Sequence, residues 1–182
     1  MFNFCRLGFF LILVIPISLR AEIIVDGVLD EPAWEEAKVI EDFYEVYPYS
    51  LREVRDYNTQ ILILETEDGL YFGFKNFQSN ESMRMMNHLR DQERSMSDKN
   101  GIVIVYDGDG IEGYNFFVSS SGSIGDATVR DENERNWDWD ADWESAATVE
   151  KGVWYSESFI PWSVASMKSK KGDTRKIKMA FY

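Results

Sequence analysis

The sequence contains almost no cysteine and almost no histidine, with only Cys5 and His88 among its 182 residues. A lone cysteine cannot form a disulfide within the chain, so packing or a bound metal must supply the stability. A lone histidine without an HExxH-like surrounding excludes the common histidine-based zinc sites. The chain also lacks a GxSxG elbow and a glycine-rich phosphate loop. We therefore expect a domain that is not an enzyme, although a partner domain could be a hydrolase.

Positive charge is the second deficit, because 19 basic residues stand against 32 acidic ones and the formal charge is −13. An acidic surface repels phosphate backbones, so nucleic acid is an unsuitable partner. A glycosidase needs two carboxylates held across a cleft. Because the chain has so many acidic residues, the presence of such a pair in the sequence is no evidence for glycosidase activity. The charge instead suits a soluble exported protein with calcium sites.

Long apolar runs are absent except at the N-terminus, where residues 7–17 follow Arg6 and precede small residues that end at Ala21. This order is typical of a secretory signal peptide. The run is shorter than the roughly 20 apolar residues of a membrane-spanning helix; an uncleaved anchor is the alternative. We expect a signal peptide at 1–21 and one mature domain at 22–182. Its expected location is the periplasm, the outer membrane or the cell exterior.

The rest of the chain consists largely of short β-prone runs separated by turns that contain Gly or Asp. Three pairs of runs are typical of hairpins and one further run ends the chain: 59–65 with 70–77, 101–107 with 114–122, 145–150 with 153–160, and 175–182. This density predicts an all-β fold, an antiparallel, jelly-roll-like β-sandwich with one or two short helices. One helix is expected after Asp30 and one helical turn after Pro161. Residues 80–94 favour a short surface helix or a long loop.

Aromatic residues make up 15% of the chain, and three of the six tryptophans alternate with aspartates in one acidic segment, residues 136–143. Sugar rings have apolar faces that stack on aromatic side chains, and their hydroxyls bind planar polar groups. A strand here would place the Trp side chains on one face and the Asp side chains on the other. Trp137 and Trp139 are either sugar platforms or packed rings. The ligand-binding candidates are Asn136, Trp137, Asp138, Trp139 and Asp140, with Tyr47 and Tyr49 as weaker ones.

The other tryptophans fall within predicted elements, so we expect core packing for Trp34, Trp143, Trp154 and Trp162.

A calcium site is the second candidate, because calcium prefers several oxygen ligands in a turn-like segment. Asp107 and Asp109 alternate with glycines, but Ile111 occupies the third ligand position of an EF-hand-like loop. A polar hairpin turn is therefore the alternative. The candidate metal ligands are Asp107, Asp109, Glu112 and Asp126.

Four segments in a fixed order resemble the family 9 carbohydrate-binding modules. The first is IIVDGVLDEPAWEEA (23–37), followed by DGLYFGFKNF, GIVIVYDGDG and WESAATVEKGVWYSESFIPWSVA. Within that family the chain is similar to the N-terminal domain of large bacterial outer-membrane-associated proteins. The resemblance implies a β-sandwich that binds a polysaccharide or oligosaccharide, often with structural calcium, and that is linked to carbohydrate catabolism through a partner domain.

The resemblance also implies a longer protein, with a C-terminal outer-membrane barrel beyond this chain. The abrupt end in an apolar strand at Phe181 and Tyr182 agrees with that expectation. The alternative function is a periplasmic docking domain of the barrel protein that does not bind sugar.

Overall fold

The computed structural model describes residues 23–44, 58–107, 111–131, 134–167 and 176–182. Two antiparallel five-stranded sheets form a β-sandwich, and the predicted all-β fold is confirmed. The predicted signal peptide at 1–21 lies outside the described residues. No helix in the described part of the chain is long and apolar enough to cross a membrane.

The first sheet has the strand order β1-β2-β3-β9-β8 and the second the order β10-β4-β5-β6-β7. In chain order the strands are β1 Lys38–Ile40, β2 Asn58–Glu65, β3 Gly69–Phe77, β4 Lys99–Val105, β5 Glu112–Ser119, β6 Ile124–Arg130, β7 Glu134–Asn136, β8 Glu144–Glu150, β9 Val153–Pro161 and β10 Lys178–Phe181. The predicted hairpins correspond to β2–β3, β4–β5 and β8–β9.

The core lies between the sheets and follows the two-residue alternation of the strands. Phe72 and Phe74 of β3 point inward and belong to the same buried cluster as Ile102, Ile104 and Phe116 of the second sheet. Each of these side chains is at most 2% exposed. Burial of one such side chain stabilises the fold by roughly 1.5–3 kcal/mol, so this cluster holds the two sheets together.

The N-terminal segment covers the outer face of the first sheet. It contains a 3₁₀ helix, Pro32–Glu36, whose Trp34 is buried. Trp34 and Leu29 lie against Gly73, where a Cβ atom would be 2.6 Å from Leu29 Cδ2 and 3.2 Å from Trp34 Cη2. A glycine at this point of β3 lets the segment approach the sheet closely. The first of the four segments that resemble the family 9 modules, residues 23–37, therefore packs against the outer face of the first sheet.

The long connection between β3 and β4 contains no helix, so the loop alternative for residues 80–94 is the one that the structure shows. Serine side chains hydrogen-bond to its backbone, for example Ser97 Oγ to the carbonyl oxygen of Met86 at 2.8 Å. Such bonds compete with helical ones. The helical turn predicted after Pro161 is the second 3₁₀ helix, Trp162–Val164.

Candidate functional site

The two candidate platform rings, Trp137 and Trp139, both have packing partners. Trp137 meets the ring of Phe117 edge-on, with centroids 6.0 Å apart. Trp139 lies 5.1 Å from the ring of Tyr114 and 6.0 Å from that of Phe116. Phe116 and Phe117 are consecutive in β5 and point to opposite faces of the sheet. Trp137 and Trp139 therefore pack on different faces of the second sheet.

The alternation expected for a strand does not apply to this segment, because β7 ends at Asn136. The Oδ1 atom of Asn136 accepts a hydrogen bond from the Asp138 amide at 3.1 Å, which is a local turn. Asp140 pairs instead with Arg90, Oδ1 to Nε at 3.0 Å. Asn136 and Asp138 thus form a local turn, and Asp140 forms an ion pair. Tyr47 and Tyr49 lie outside the described residues.

Core packing is observed for three of the four remaining tryptophans, since Trp34, Trp143 and Trp154 are at most 8% exposed. Trp162 is half-buried against the core cluster, and its Nε1 donates to the Thr66 carbonyl at 3.2 Å.

Two of the four candidate metal ligands are engaged by arginines. Glu112 accepts from Arg130 Nη2 at 2.7 Å, and Asp126 accepts from Arg90 Nη2 at 2.6 Å. Asp109 lies outside the described residues. Within the described ranges, no three His, Cys, Asp or Glu side chains converge as a metal site would require. Calcium binding by the candidate residues stays a prediction.

Asp126 serves a different role, because it is a buried anchor for the β3–β4 connection. It is 0% exposed, and it accepts hydrogen bonds from Arg90 and from the Ala141 amide. Burial raises the pKa of Asp126, and the bonds from Ala141 and Arg90 oppose part of that rise. Its own amide donates to Asp91 Oδ1 at 2.8 Å. One carboxylate thus connects β6 to the connection and to the tryptophan-rich segment.

A cleft of about 460 Å³ opens between the sheets, where β3 ends and β4 begins. Its inward aromatic lining includes Phe43 and Phe181, which are half-buried and pack against the core cluster, whereas the rings of Phe77 and Tyr182 lie at its edge on the outer faces of the two sheets. Trp154 also lines it and is 2% exposed. The volume is within the usual range for small-molecule sites, about 300–1,000 Å³. This cleft can therefore take a ligand of a few rings at most.

Planar polar side chains line the same cleft and are held by hydrogen bonds. Asn76 Nδ2 donates to the Trp154 carbonyl at 3.3 Å, and Gln78 Nε2 donates to Asp98 Oδ2 at 2.9 Å. Asn100 Nδ2 donates to a serine hydroxyl at 2.8 Å. These bonds fix the side chains before any ligand enters, which lowers the ordering entropy of binding.

One buried donor in the lining has no partner. The indole Nε1 of Trp154 is fully buried without a hydrogen-bond acceptor. Buried indole N–H groups usually find an acceptor, because an unsatisfied donor costs about 1–3 kcal/mol. Because this nitrogen is buried, a ligand oxygen reaches it only if neighbouring side chains move.

Tyr182 is held at the cleft by both its backbone and its ring. Its amide and carbonyl pair with those of Gly101, and its hydroxyl donates to Asn115 Oδ1 at 2.9 Å. A Cβ atom on Gly101 would lie 2.1 Å from the tyrosine ring, so only glycine accommodates this approach. The ring is therefore fixed on the outer face of the second sheet, at the edge of the cleft.

The cleft was missed in the sequence because its lining comes from the ends of separate strands. A weak signal is present: β3 places Leu70, Phe72, Phe74 and Asn76 on its inward face, and the polar Asn76 interrupts the apolar series. A polar residue at an inward position indicates where the hydrophobic core between the sheets ends.

No protein-family model matches the sequence, and no curated protein matches it. Solved structures that are similar in fold include the following three. A candidate carbohydrate-binding protein from Bacteroides uniformis has a TM-score of 0.61 and 16% identity, over 81% of this chain and 71% of that chain.

The other two are structures of a family 9 carbohydrate-binding module from Caldicellulosiruptor kristjanssonii. The cellotriose complex has a TM-score of 0.55 and 12% identity, over 88% of this chain and 71% of that chain. The glucose complex has a TM-score of 0.53 and 13% identity, over 88% and 72%. The chain therefore has the fold of the family 9 modules, and the resemblance seen in the four sequence segments is confirmed at the level of the fold.

Proposed function

We propose that this domain is a non-catalytic carbohydrate-binding module and that its site is the cleft between the two sheets. One observation carries the proposal: the cleft combines the half-buried rings of Phe43 and Phe181 with planar polar side chains. The rings can stack on the apolar face of a pyranose, and the amides can bind its hydroxyls. The shared fold with modules solved with cellotriose and glucose supports the same ligand class.

The proposal includes export, with the domain acting in the periplasm, at the outer membrane or outside the cell. The basis is the signal-peptide pattern at residues 1–21. A link to carbohydrate catabolism through a partner domain, and a C-terminal barrel in a longer protein, belong to the same proposal. They rest on the sequence resemblance.

The test is isothermal titration of the purified chain with glucose, cellotriose and a panel of oligosaccharides. We expect binding, and we expect Phe43→Ala and Gln78→Ala each to weaken it by at least about tenfold, or roughly 1.4 kcal/mol. Tyr155→Ala is the matched control, because Tyr155 alternates with the buried Trp154 on β9 and so faces away from the core. If both cleft variants bind as well as the parent, the sugar site lies outside the cleft. If no oligosaccharide of the panel binds, the proposal is wrong.

A docking domain without sugar binding is the second candidate, and one observation favours it. The β3–β4 connection exposes four large apolar side chains by 56–76%: Met85, Met86, Leu89 and Met96. Methionine-rich surfaces are common at protein-binding sites. This candidate predicts no affinity for the oligosaccharide panel, so the same titration separates the two functions.

A further inference from the structure

The cleft contains a guanidinium that the protein itself does not use. Arg84 lines the cleft and is exposed. Arg90, Arg130 and Arg135 each form an ion pair with a carboxylate, whereas no ion pair of Arg84 occurs among the described residues. Arg94 also forms no ion pair among the described residues, but it does not line the cleft, so Arg84 is distinguished by its position.

The backbone of Arg84 is nevertheless firmly placed. Its amide donates to Asp98 Oδ2 at 2.8 Å. Its carbonyl accepts from the Asp98 amide at 2.8 Å and from Ser120 Oγ at 3.0 Å. The residue is therefore fixed at the wall of the cleft while its charged head group stays available.

The other cation of the lining is directed elsewhere. The Lys99 ammonium donates to the Glu93 carbonyl and lies 5.1 Å from the ring centroid of Phe117, which points away from the core. Burial lowers the pKa of Lys99, and the nearby Glu93 carboxylate offsets only part of this. Arg84 is thus the cation that can meet a ligand in the cleft.

Asp98 brings a negative charge into the same cleft, and its position defines the ligand further. Its Oδ2 already accepts from Gln78 and from the Arg84 amide. A ligand that satisfies both residues must offer a carboxylate to Arg84 and keep neutral hydroxyl groups near Asp98. A uronic acid has this pattern, with a carboxylate on C5 and hydroxyls around the ring.

We infer that the cleft prefers sugars that carry a carboxylate, with Arg84 as the residue that determines this preference. Arginine binds carboxylates through two parallel hydrogen bonds, a geometry that lysine cannot reproduce. The inference rests on the proposed function and names the ligand class of that same site.

The test compares cellotriose with a uronate trimer in which one terminal glucose is replaced by glucuronic acid, so that the two ligands differ by a single carboxylate at one C6. We expect the parent chain to bind the uronate trimer about ten- to hundredfold more tightly, the range for charge-assisted hydrogen bonds. Arg84→Gln should remove this difference, and Arg84→Lys should restore only part of it. The preference should also decrease with added salt.

Arg94→Gln is the matched control, because Arg94 is exposed, does not line the cleft and carries the same charge. It should keep the preference of the parent. Equal binding of both trimers, or a preference that Arg84→Gln leaves intact, would overturn the inference while the sugar-binding function stands. If neither trimer nor any oligosaccharide of the panel binds, the proposed function itself fails and the inference with it.

Discussion

The indole Nε1 of Trp34 donates a hydrogen bond to Glu157 Oε1 at 3.1 Å, across 123 positions of the chain. The other carboxylate oxygen, Oε2, accepts from the amides of Asp26 at 3.0 Å and Gly27 at 2.8 Å. Glu157 is 0% exposed and is the register partner of Gly73 in β3. One buried carboxylate thus attaches the N-terminal segment to the outer face of the first sheet.

This attachment predicts a decrease in stability as the pH rises. Burial raises the pKa of Glu157 to about 7 from 4.5, although its hydrogen bonds from Gly27, Asp26 and Trp34 oppose the rise. The folded protein therefore holds the proton more tightly than the unfolded chain does. This contribution is complete below about pH 4.5 and is lost as the pH rises through about 7, on the order of 3 kcal/mol in total.

Urea unfolding between pH 4 and 8 measures this effect when the parent is compared with Glu157→Gln. We expect the variant to be less stable at low pH and to lack this part of the pH dependence. Glu150→Gln is the control, since Glu150 is exposed at the end of β8. Parallel pH profiles of the parent and Glu157→Gln would contradict the prediction.

Gly73→Ala tests the packing of the N-terminal segment on the first sheet. The new Cβ would lie 2.6 Å from Leu29 Cδ2, so the segment must move outward. We expect a loss of about 1–3 kcal/mol in the free energy of unfolding, as for other overpacked sites. Gly113→Ala in β5 is the control, because its nearest neighbour would be 3.4 Å away. Equal stability of both variants would show that the N-terminal segment can move outward without a loss in the free energy of unfolding.

The Arg90–Asp126 pair predicts a non-additive effect on stability. Arg90→Met leaves the Asp126 carboxylate buried without its charged partner. We expect a loss of about 2 kcal/mol, below the usual figure for buried pairs because the Arg90 side chain is 38% exposed. The double variant Arg90→Met with Asp126→Asn should recover part of it. Chemical denaturation of the four proteins in this cycle gives the coupling energy.

The control for that cycle is Arg94→Met, which removes an exposed arginine of the same connection. It should change stability by less than about 0.5 kcal/mol, as surface substitutions usually do. Additive effects of the two substitutions in the cycle would mean that the pair does not anchor the connection.

Trp139→Ala separates packing from ligand binding in the tryptophan-rich segment. Trp139 is half-buried against the core cluster, so we expect a loss of about 2–3 kcal/mol, less than for a fully buried tryptophan. Trp137→Ala should lose less, because the ring of Phe117 is its one aromatic partner among the described residues. Thermal unfolding and oligosaccharide titration of both variants provide the measurement. Loss of sugar binding with an unchanged melting temperature would favour the platform hypothesis instead of the cleft.

The β-sandwich could be predicted because its strands carry local signals. The alternation of Leu70, Phe72 and Phe74 in β3, and the turn residues before it, depend only on neighbouring positions in the chain. The predicted burial of Trp34 and Trp154 had the same basis. By contrast, the tryptophans of residues 136–143 are nearly identical in their sequence surroundings. Only their position at the end of β7 decides that they meet different faces of β5.

The sequence by itself determined the all-β class, the three hairpins and the acidic charge, because composition and short-range periodicity encode them. The tertiary structure alone decided the cleft, whose lining brings Phe43 together with Phe181, more than 100 positions away along the chain. It also decided that Glu157, which faces outward from its sheet, is buried beneath the N-terminal segment. Which distant segments meet depends on the packing of the whole sandwich, and no local pattern in the chain records it.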